Sequence, residues 1–130
     1  MRAASAAGAL LLAACTALPP MRHRIDAGED AYVVFVADAP SGKGDLWAMH
    51  AGGGEAVQLT FTRPAEFGPA LSPTGEVVAF LRATGSSAGE PAEAWLLNLL
   101  NGAERRLALP AEAGRPVAIA WTAGGRELLV

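Results

Sequence analysis

Short apolar runs, each closed by glycine, proline, asparagine or aspartate, recur along the chain after residue 30. The first of them, Tyr32–Ala37, is rich in the β-branched and aromatic residues that favour strands. A helical period is not sustained, because glycine or proline interrupts every window of about a dozen residues. The pattern therefore predicts an all-β chain. The predicted strands cover residues 32–37, 46–50, 56–61, 69–71, 77–82, 95–99, 105–109, 117–121 and 127–130.

The strand pattern repeats along the chain. Trp47 is followed by a glycine-rich turn and Leu59, and about 48 residues after it Trp95 is followed by Asn101-Gly102 and Leu107. A repeat of this kind, built from short strands, is typical of a β-propeller, and Asn-Gly between apolar strands predicts a tight hairpin. Blades of four antiparallel strands would give one blade that lacks its first strand, one complete blade and half of a third.

The number of predicted blades is small. Propellers usually close with four to eight blades, whereas the pattern supplies about two to two and a half. The last run, Leu128–Val130, has a strand pattern and no closing turn. We therefore expect a truncated chain that forms an incomplete propeller, whose open strand edges favour self-association.

One turn carries a resemblance to a known family. Ser72-Pro73-Thr74-Gly75 has proline at the second position and glycine at the fourth, as a type I turn prefers. This turn and the strands around it resemble the propeller repeat of TolB-type periplasmic proteins. The chain departs from that repeat at Thr74, where the family usually has aspartate, and at Thr122-Ala123-Gly124. The matching residues are Ser72-Pro73, Gly75, Ala79-Phe80, Leu46-Trp47, Gln58-Leu59-Thr60, Trp95 and Leu107.

The resemblance covers residues 31–130 and implies a non-catalytic propeller that binds a protein or a peptide in the cell envelope. In the TolB family such a propeller works with the Tol system and the peptidoglycan-associated lipoprotein. The same repeat occurs in propellers fused to prolyl-oligopeptidase-type peptidases. The alternative is therefore the N-terminal propeller fragment of a secreted serine peptidase, and a third hypothesis is a remnant without function.

The N-terminus has the layout of a secretory signal. Arg2 precedes an uncharged stretch rich in alanine and leucine, which ends at Leu12-Ala13-Ala14-Cys15. That tetrapeptide resembles the lipobox of bacterial lipoproteins, which implies cleavage before Cys15, lipidation of that residue and membrane anchoring. Thr16 is not the aspartate that retains enterobacterial lipoproteins at the inner membrane, so we expect the periplasmic side of the outer membrane. The predicted organisation is a signal peptide at residues 1–14, a lipidated cysteine and flexible tether at 15–30, and a partial propeller at 31–130.

Several functional classes find little support in the sequence. The formal net charge of −3 gives no basic face for nucleic acid. Gly52-Gly53-Gly54 lacks the lysine and helix of a phosphate loop, and no residue spacing matches a metal site. The G-x-S-x-G match at residues 85–89 has no histidine after it and no following helix, so a nucleophile elbow is not expected. We expect no enzyme activity, no cofactor and no metal.

The predicted connections divide between two ends of the strands, because successive strands run in opposite directions. The turns at 52–54, 72–75 and 101–102 are tight, whereas the connections at 38–44, 62–68 and 83–92 are longer. Longer loops on a rigid scaffold are where recognition usually occurs. Arginine and aromatic side chains are enriched at binding hot spots, which favours Arg63 and Phe67 as the main contacts. The full set of candidate partner-binding residues is Arg63, Phe67, Glu66, Asp38 and Lys43.

Overall fold

The computed structural model describes residues 25–40, 42–85 and 90–130. These residues form nine antiparallel β-strands and one short 3₁₀ helix at Ala111–Ala113. The strands are β1 (Tyr32–Ala39), β2 (Gly42–His50), β3 (Val57–Gln58), β4 (Glu66–Leu71), β5 (Val77–Ala83), β6 (Ala92–Asn98), β7 (Glu104–Arg106), β8 (Ala120–Trp121) and β9 (Leu128–Leu129). The predicted all-β class is confirmed.

The strands fall into three antiparallel sheets in chain order. Sheet I contains β1, β2 and β3, sheet II contains β4 to β7, and sheet III contains β8 and β9. Each strand pairs with the next one in its sheet, so every sheet is a meander. This grouping of three, four and two strands agrees with the division predicted from the repeat.

Sheet II lies between the other two sheets. Its front face, defined as the face toward sheet I, contributes Val78, Phe80 and Leu97 to a core cluster that also contains Leu46 and Ala48 of sheet I. Its back face packs on sheet III. The second cluster contains Ala79, Leu81, Ala94 and Ile119, with Leu96, Trp121 and Leu128 packed against them. Side chains of a strand alternate between faces, so sheet II buries apolar residues on both.

The turn predicted at Ser72–Gly75 occurs twice in the structure. Gly75 N donates to Ser72 O at 2.8 Å, and Gly125 N donates to Thr122 O at the same distance. Gly75 has a φ of 74°, a left-handed conformation that glycine adopts without strain. The second copy precedes β9 although it lacks the serine and proline, so glycine at the fourth position is the shared requirement.

Each of the nine strands differs from its predicted range by at least one residue, and three differences matter most for the fold. Strand β4 begins at Glu66 rather than Pro69, because a shift in register between Phe67 and Ala70 accommodates the glycine and proline there. Asn101-Gly102 is not a two-residue hairpin, since Asn98 N donates to Ala103 O at 2.9 Å and closes a wider loop. Ile25, assigned to the flexible tether, is 3% exposed and packs in the core, so the folded part extends before residue 31. Cys15 and residues 86–89 of the G-x-S-x-G match lie outside the described residues.

Candidate functional site

The connections β1–β2, β3–β4 and β5–β6 meet at one end of the sheets, which we call the loop end. The predicted long connection at 38–44 is wrong, because β1 extends to Ala39 and β2 begins at Gly42. Gly44, at the start of β2, has its backbone against Glu66, and a Cβ on Gly44 would lie 2.9 Å from the Glu66 carbonyl oxygen. Ala83 N donates to Ala65 O at 2.9 Å, which ties the end of β5 to the same segment. These two contacts bring the three connections together at the loop end.

The segment from Thr60 to Phe67 forms the centre of the loop end. Thr60 and Glu66 are buried, each 1% exposed, and Thr62 is half-buried. Between them the chain turns outward. Three residues of the segment are exposed to solvent: Phe61 at 48%, Phe67 at 38% and Arg63. Polar side chains thus face inward and the aromatic and cationic side chains face outward.

The buried carboxylate of Glu66 holds this segment in place through hydrogen bonds. Glu66 Oε1 accepts hydrogen bonds from Arg82 Nε at 2.8 Å, Arg82 Nη2 at 2.6 Å and Thr62 Oγ1 at 3.0 Å. Thr60 Oγ1 donates to the other carboxylate oxygen. Arg82 Nη2 also donates to Glu104 Oε2 at 2.6 Å. Hydrogen bonds satisfy both oxygens of the buried carboxylate, which is the condition for burying a charge without a large penalty.

Arg82 is held on its other side by aromatic rings. Its guanidinium carbon lies 4.4 Å from the ring centroid of Trp95 and 5.1 Å from that of Phe80. Both rings are on the front face of sheet II, where a cation over the ring face is attracted by the ring quadrupole. The guanidinium therefore has a fixed position, and with it the carboxylate of Glu66.

A second carboxylate ties β2 to the same segment. Asp45 is fully buried, and its Oδ1 accepts from Thr62 N at 3.2 Å while its Oδ2 accepts from Gln58 Nε2, also at 3.2 Å. Leu46 N donates to Thr60 Oγ1 at 2.9 Å. These bonds cross from sheet I to the loop end, so backbone and side-chain contacts hold the segment on both flanks.

Most of the predicted contact residues lie on this surface. Asp38, Lys43, Arg63 and Phe67 are exposed, and Asp38 Oδ1 accepts from Gly44 N at 3.1 Å, which closes the tip of the β1–β2 hairpin.

The fifth predicted contact residue, Glu66, is not exposed. Its side chain is buried beneath the surface and paired with Arg82, so it supports the surface rather than contacting a partner. Phe61 was not predicted as a contact, although the alternation from Thr60 to Arg63 would have placed it on the same side as Arg63.

Aromatic and charged side chains are exposed at the loop end. Within residues 25–40, 42–85 and 90–130 no cluster of three or more histidine, cysteine or acidic side chains could hold a metal ion. In the same part of the chain no helix is long and apolar enough to cross a membrane. The exposed groups are the aromatic rings of Phe61 and Phe67, the guanidinium of Arg63, and the side chains of Asp38 and Lys43.

Comparison with known proteins adds no family. No family model matches the chain. No curated protein is significantly similar to it. The resemblance to the TolB-type repeat therefore depends on the turn and strand residues of the sequence itself.

Proposed function

We propose that this protein is a non-catalytic binding protein of the bacterial cell envelope, which recognises a protein or peptide through the loop end. In this proposal the three sheets are blades of an incomplete TolB-like propeller. A lipid on Cys15 holds the chain to a membrane, with the outer membrane favoured over the inner, and the sheets face the periplasm.

Three observations support the propeller interpretation. The cross-strand pair Phe35 and Trp47 of sheet I recurs as Phe80 and Trp95 in sheet II. The same glycine turn precedes the second strand of sheets II and III. The sheets stack face to face in chain order, each packing through apolar side chains on the next. Successive copies of one unit, stacked in this way, are the basis of propellers and related arrays.

The binding proposal depends mainly on the hydrogen bonds that hold the chain in place around the exposed residues Phe61 and Arg63. Hydrogen bonds tie Thr60, Thr62 and Glu66 to one another and to Arg82 and Asp45, while Phe61 and Arg63, which lie between them in the chain, are exposed. Ordering a flexible loop on binding costs conformational entropy, and a loop already ordered avoids most of that cost. Exposed phenylalanine on a pre-ordered segment therefore favours recognition over a purely structural role.

The side chains define the kind of partner. Phe61 and Phe67 offer apolar surface, and Arg63 offers a guanidinium that makes no hydrogen bond or ion pair with the described residues. Arginine in such a setting pairs with a carboxylate through two parallel hydrogen bonds. We expect a polypeptide segment that presents an acidic side chain next to apolar ones.

Selection from a peptide library tests this proposal. Peptides are selected on the folded wild type and then measured against the double variant Arg63→Ala with Phe67→Ala. The matched control is Arg126→Ala with Leu129→Ala, which also removes an exposed cation and an exposed apolar side chain. Both residues follow the turn at 122–125, whose counterpart at 72–75 lies at the opposite end of the strands from the loop end. We expect peptides with acidic and apolar positions, and a loss in affinity of roughly tenfold or more in the double variant alone.

Two results would count against the loop end. One is a set of selected peptides that bind the wild type and the double variant equally while circular dichroism shows both folded. The other is an equal loss in the control variant, which would indicate non-specific binding to exposed apolar residues. Loss of the β-sheet signal in the double variant would show instead that Phe67 belongs to the core.

A further inference from the structure

The face of sheet I that points away from sheet II is apolar, and no described sheet packs on it. The strands β1 and β2 place Val33 opposite Met49 and Phe35 opposite Trp47. These four side chains alternate with Leu46, Ala48 and Val34, which face sheet II, so they form the opposite, front face of sheet I. Val33 is 47% exposed, and Phe35, Trp47 and Met49 are partly exposed and belong to neither core cluster.

The internal repeat shows what kind of surface fits this face. Sheet II has the same Phe–Trp pair at the equivalent position, Phe80 with Trp95, and pairs Val78 with Leu97 where sheet I pairs Val33 with Met49. Val78 and Phe80 are fully buried there, because the back face of sheet I covers them. Front faces in this molecule therefore pack on back faces of the preceding sheet. The front face of sheet I has a similar set of apolar side chains, with Met49 where the covered face has Leu97.

Sheet III has a back face, which points away from sheet II and on which no described sheet packs. Trp121 and Leu128 point toward sheet II and are packed against its back face. Their strand neighbours Ala120 and Leu129, paired across β8 and β9, lie on the opposite, back face. Leu129 is 64% exposed and Ala120 is exposed. No described sheet therefore packs on the front face of sheet I or on the back face of sheet III.

We propose that copies of this chain associate head to tail, with the back face of sheet III of one copy on the front face of sheet I of the next. The contact uses two different surfaces, so it is heterologous, and it produces rings or open chains rather than symmetric dimers. Face packing of this kind is distinct from pairing of open strand edges, since it buries side chains and needs no new backbone hydrogen bonds. The proposal does not depend on a partner at the loop end.

Sedimentation velocity on the full chain, from low micromolar to near-millimolar concentration, tests the proposal. Every sample carries Cys15→Ser, so that neither a lipid nor an intermolecular disulfide contributes. Val33→Lys alters the front face of sheet I and Leu129→Lys alters the back face of sheet III. Phe61→Lys is the matched control, because Phe61 is 48% exposed, as Val33 is 47%, but lies at the loop end.

The decisive sample is the mixture of the two altered chains. Each variant alone keeps one good face and should associate roughly tenfold or more weakly than the parent, because a lysine charge would be buried in the contact. The Val33→Lys chain keeps its sheet III face and the Leu129→Lys chain keeps its sheet I face. Mixed, they should form one-to-one dimers that do not grow further, while the Phe61→Lys chain associates as the parent does.

Four results would overturn the proposal. A parent chain that stays monomeric over the whole range excludes association at these faces. A mixture of the two variants that stays monomeric, with both folded by near-ultraviolet circular dichroism, excludes head-to-tail packing. Symmetric dimers abolished by Val33→Lys alone show instead that two sheet I faces meet. Association abolished by Phe61→Lys and retained in the other variants places the contact at the loop end. If Val33→Lys unfolds the chain, Val33→Thr replaces it in the same mixture.

Discussion

Replacing Glu66 by glutamine tests whether the buried ion pair stabilises the loop end. The change keeps the shape of the side chain and removes its charge. Arg82, with a side chain 11% exposed, would then keep one carboxylate, that of Glu104, whose side chain is 29% exposed. The new amide group would also place N–H donors among the donors of Arg82, Thr60 and Thr62, where the structure requires only acceptors.

The expected magnitude follows from burial. Breaking a buried ion pair by removing one partner costs about 3–5 kcal/mol, since the remaining charge has no compensation. Arg82 retains Glu104 and the ring of Trp95, so we expect the lower end of that range, about 3 kcal/mol in the free energy of unfolding. Replacing the pair together, Glu66→Leu with Arg82→Met, should cost less than the single change, because no unpaired charge remains buried.

The matched control is Glu93→Gln. Glu93 pairs with Arg106 at 2.7 Å, but the two side chains are 34% and 62% exposed, so water screens the pair and the loss should stay below about 1 kcal/mol. Urea unfolding at pH 7, followed by circular dichroism, measures all three variants. Equal losses for Glu66→Gln and Glu93→Gln would refute the reasoning that burial decides the strength of this pair.

Four further substitutions test separate parts of the structure. Cys15→Ser should move the protein from the membrane fraction to the soluble periplasmic fraction of an expressing bacterium; equal recovery of both forms in the soluble fraction would refute lipid anchoring. Trp47→Phe should change the free energy of unfolding by less than about 1 kcal/mol, because its buried indole N–H has no hydrogen-bond partner among the described residues. Trp95→Phe should cost more in the same urea experiment, since its indole stacks on Arg82 and donates to Glu93 at 3.3 Å; the reverse order would contradict this account. Gly44→Ala should destabilise by about 1–3 kcal/mol, because Gly44 has a φ of 73° and a Cβ would meet the Glu66 carbonyl oxygen; an unchanged urea midpoint would show that the backbone relaxes there.

The sequence by itself determined the strands and their grouping. Period-two apolar runs bounded by turn residues are local features, and the recurrence of Trp47 and Trp95 set the division into sheets of three, four and two strands. The turn at Ser72–Gly75 was also predictable, because proline and glycine restrict the backbone at fixed positions of the turn. In each case the physical cause acts between residues close in sequence.

Only the tertiary structure decided the role of the charged residues at the loop end. Glu66 precedes Gly68 and Pro69, which break the strand pattern, and a glutamate in such a segment is ordinarily solvated. Its burial depends on Arg82, which is 16 residues away along the chain and reaches it through the pairing of β4 with β5. The packing of sheets also decided which of two equivalent apolar faces became core: Phe80 is covered by sheet I, whereas the same pair of residues on sheet I has no described sheet in front of it. Whether a side chain is buried depends on which sheet packs against its face, and the local sequence does not specify that packing.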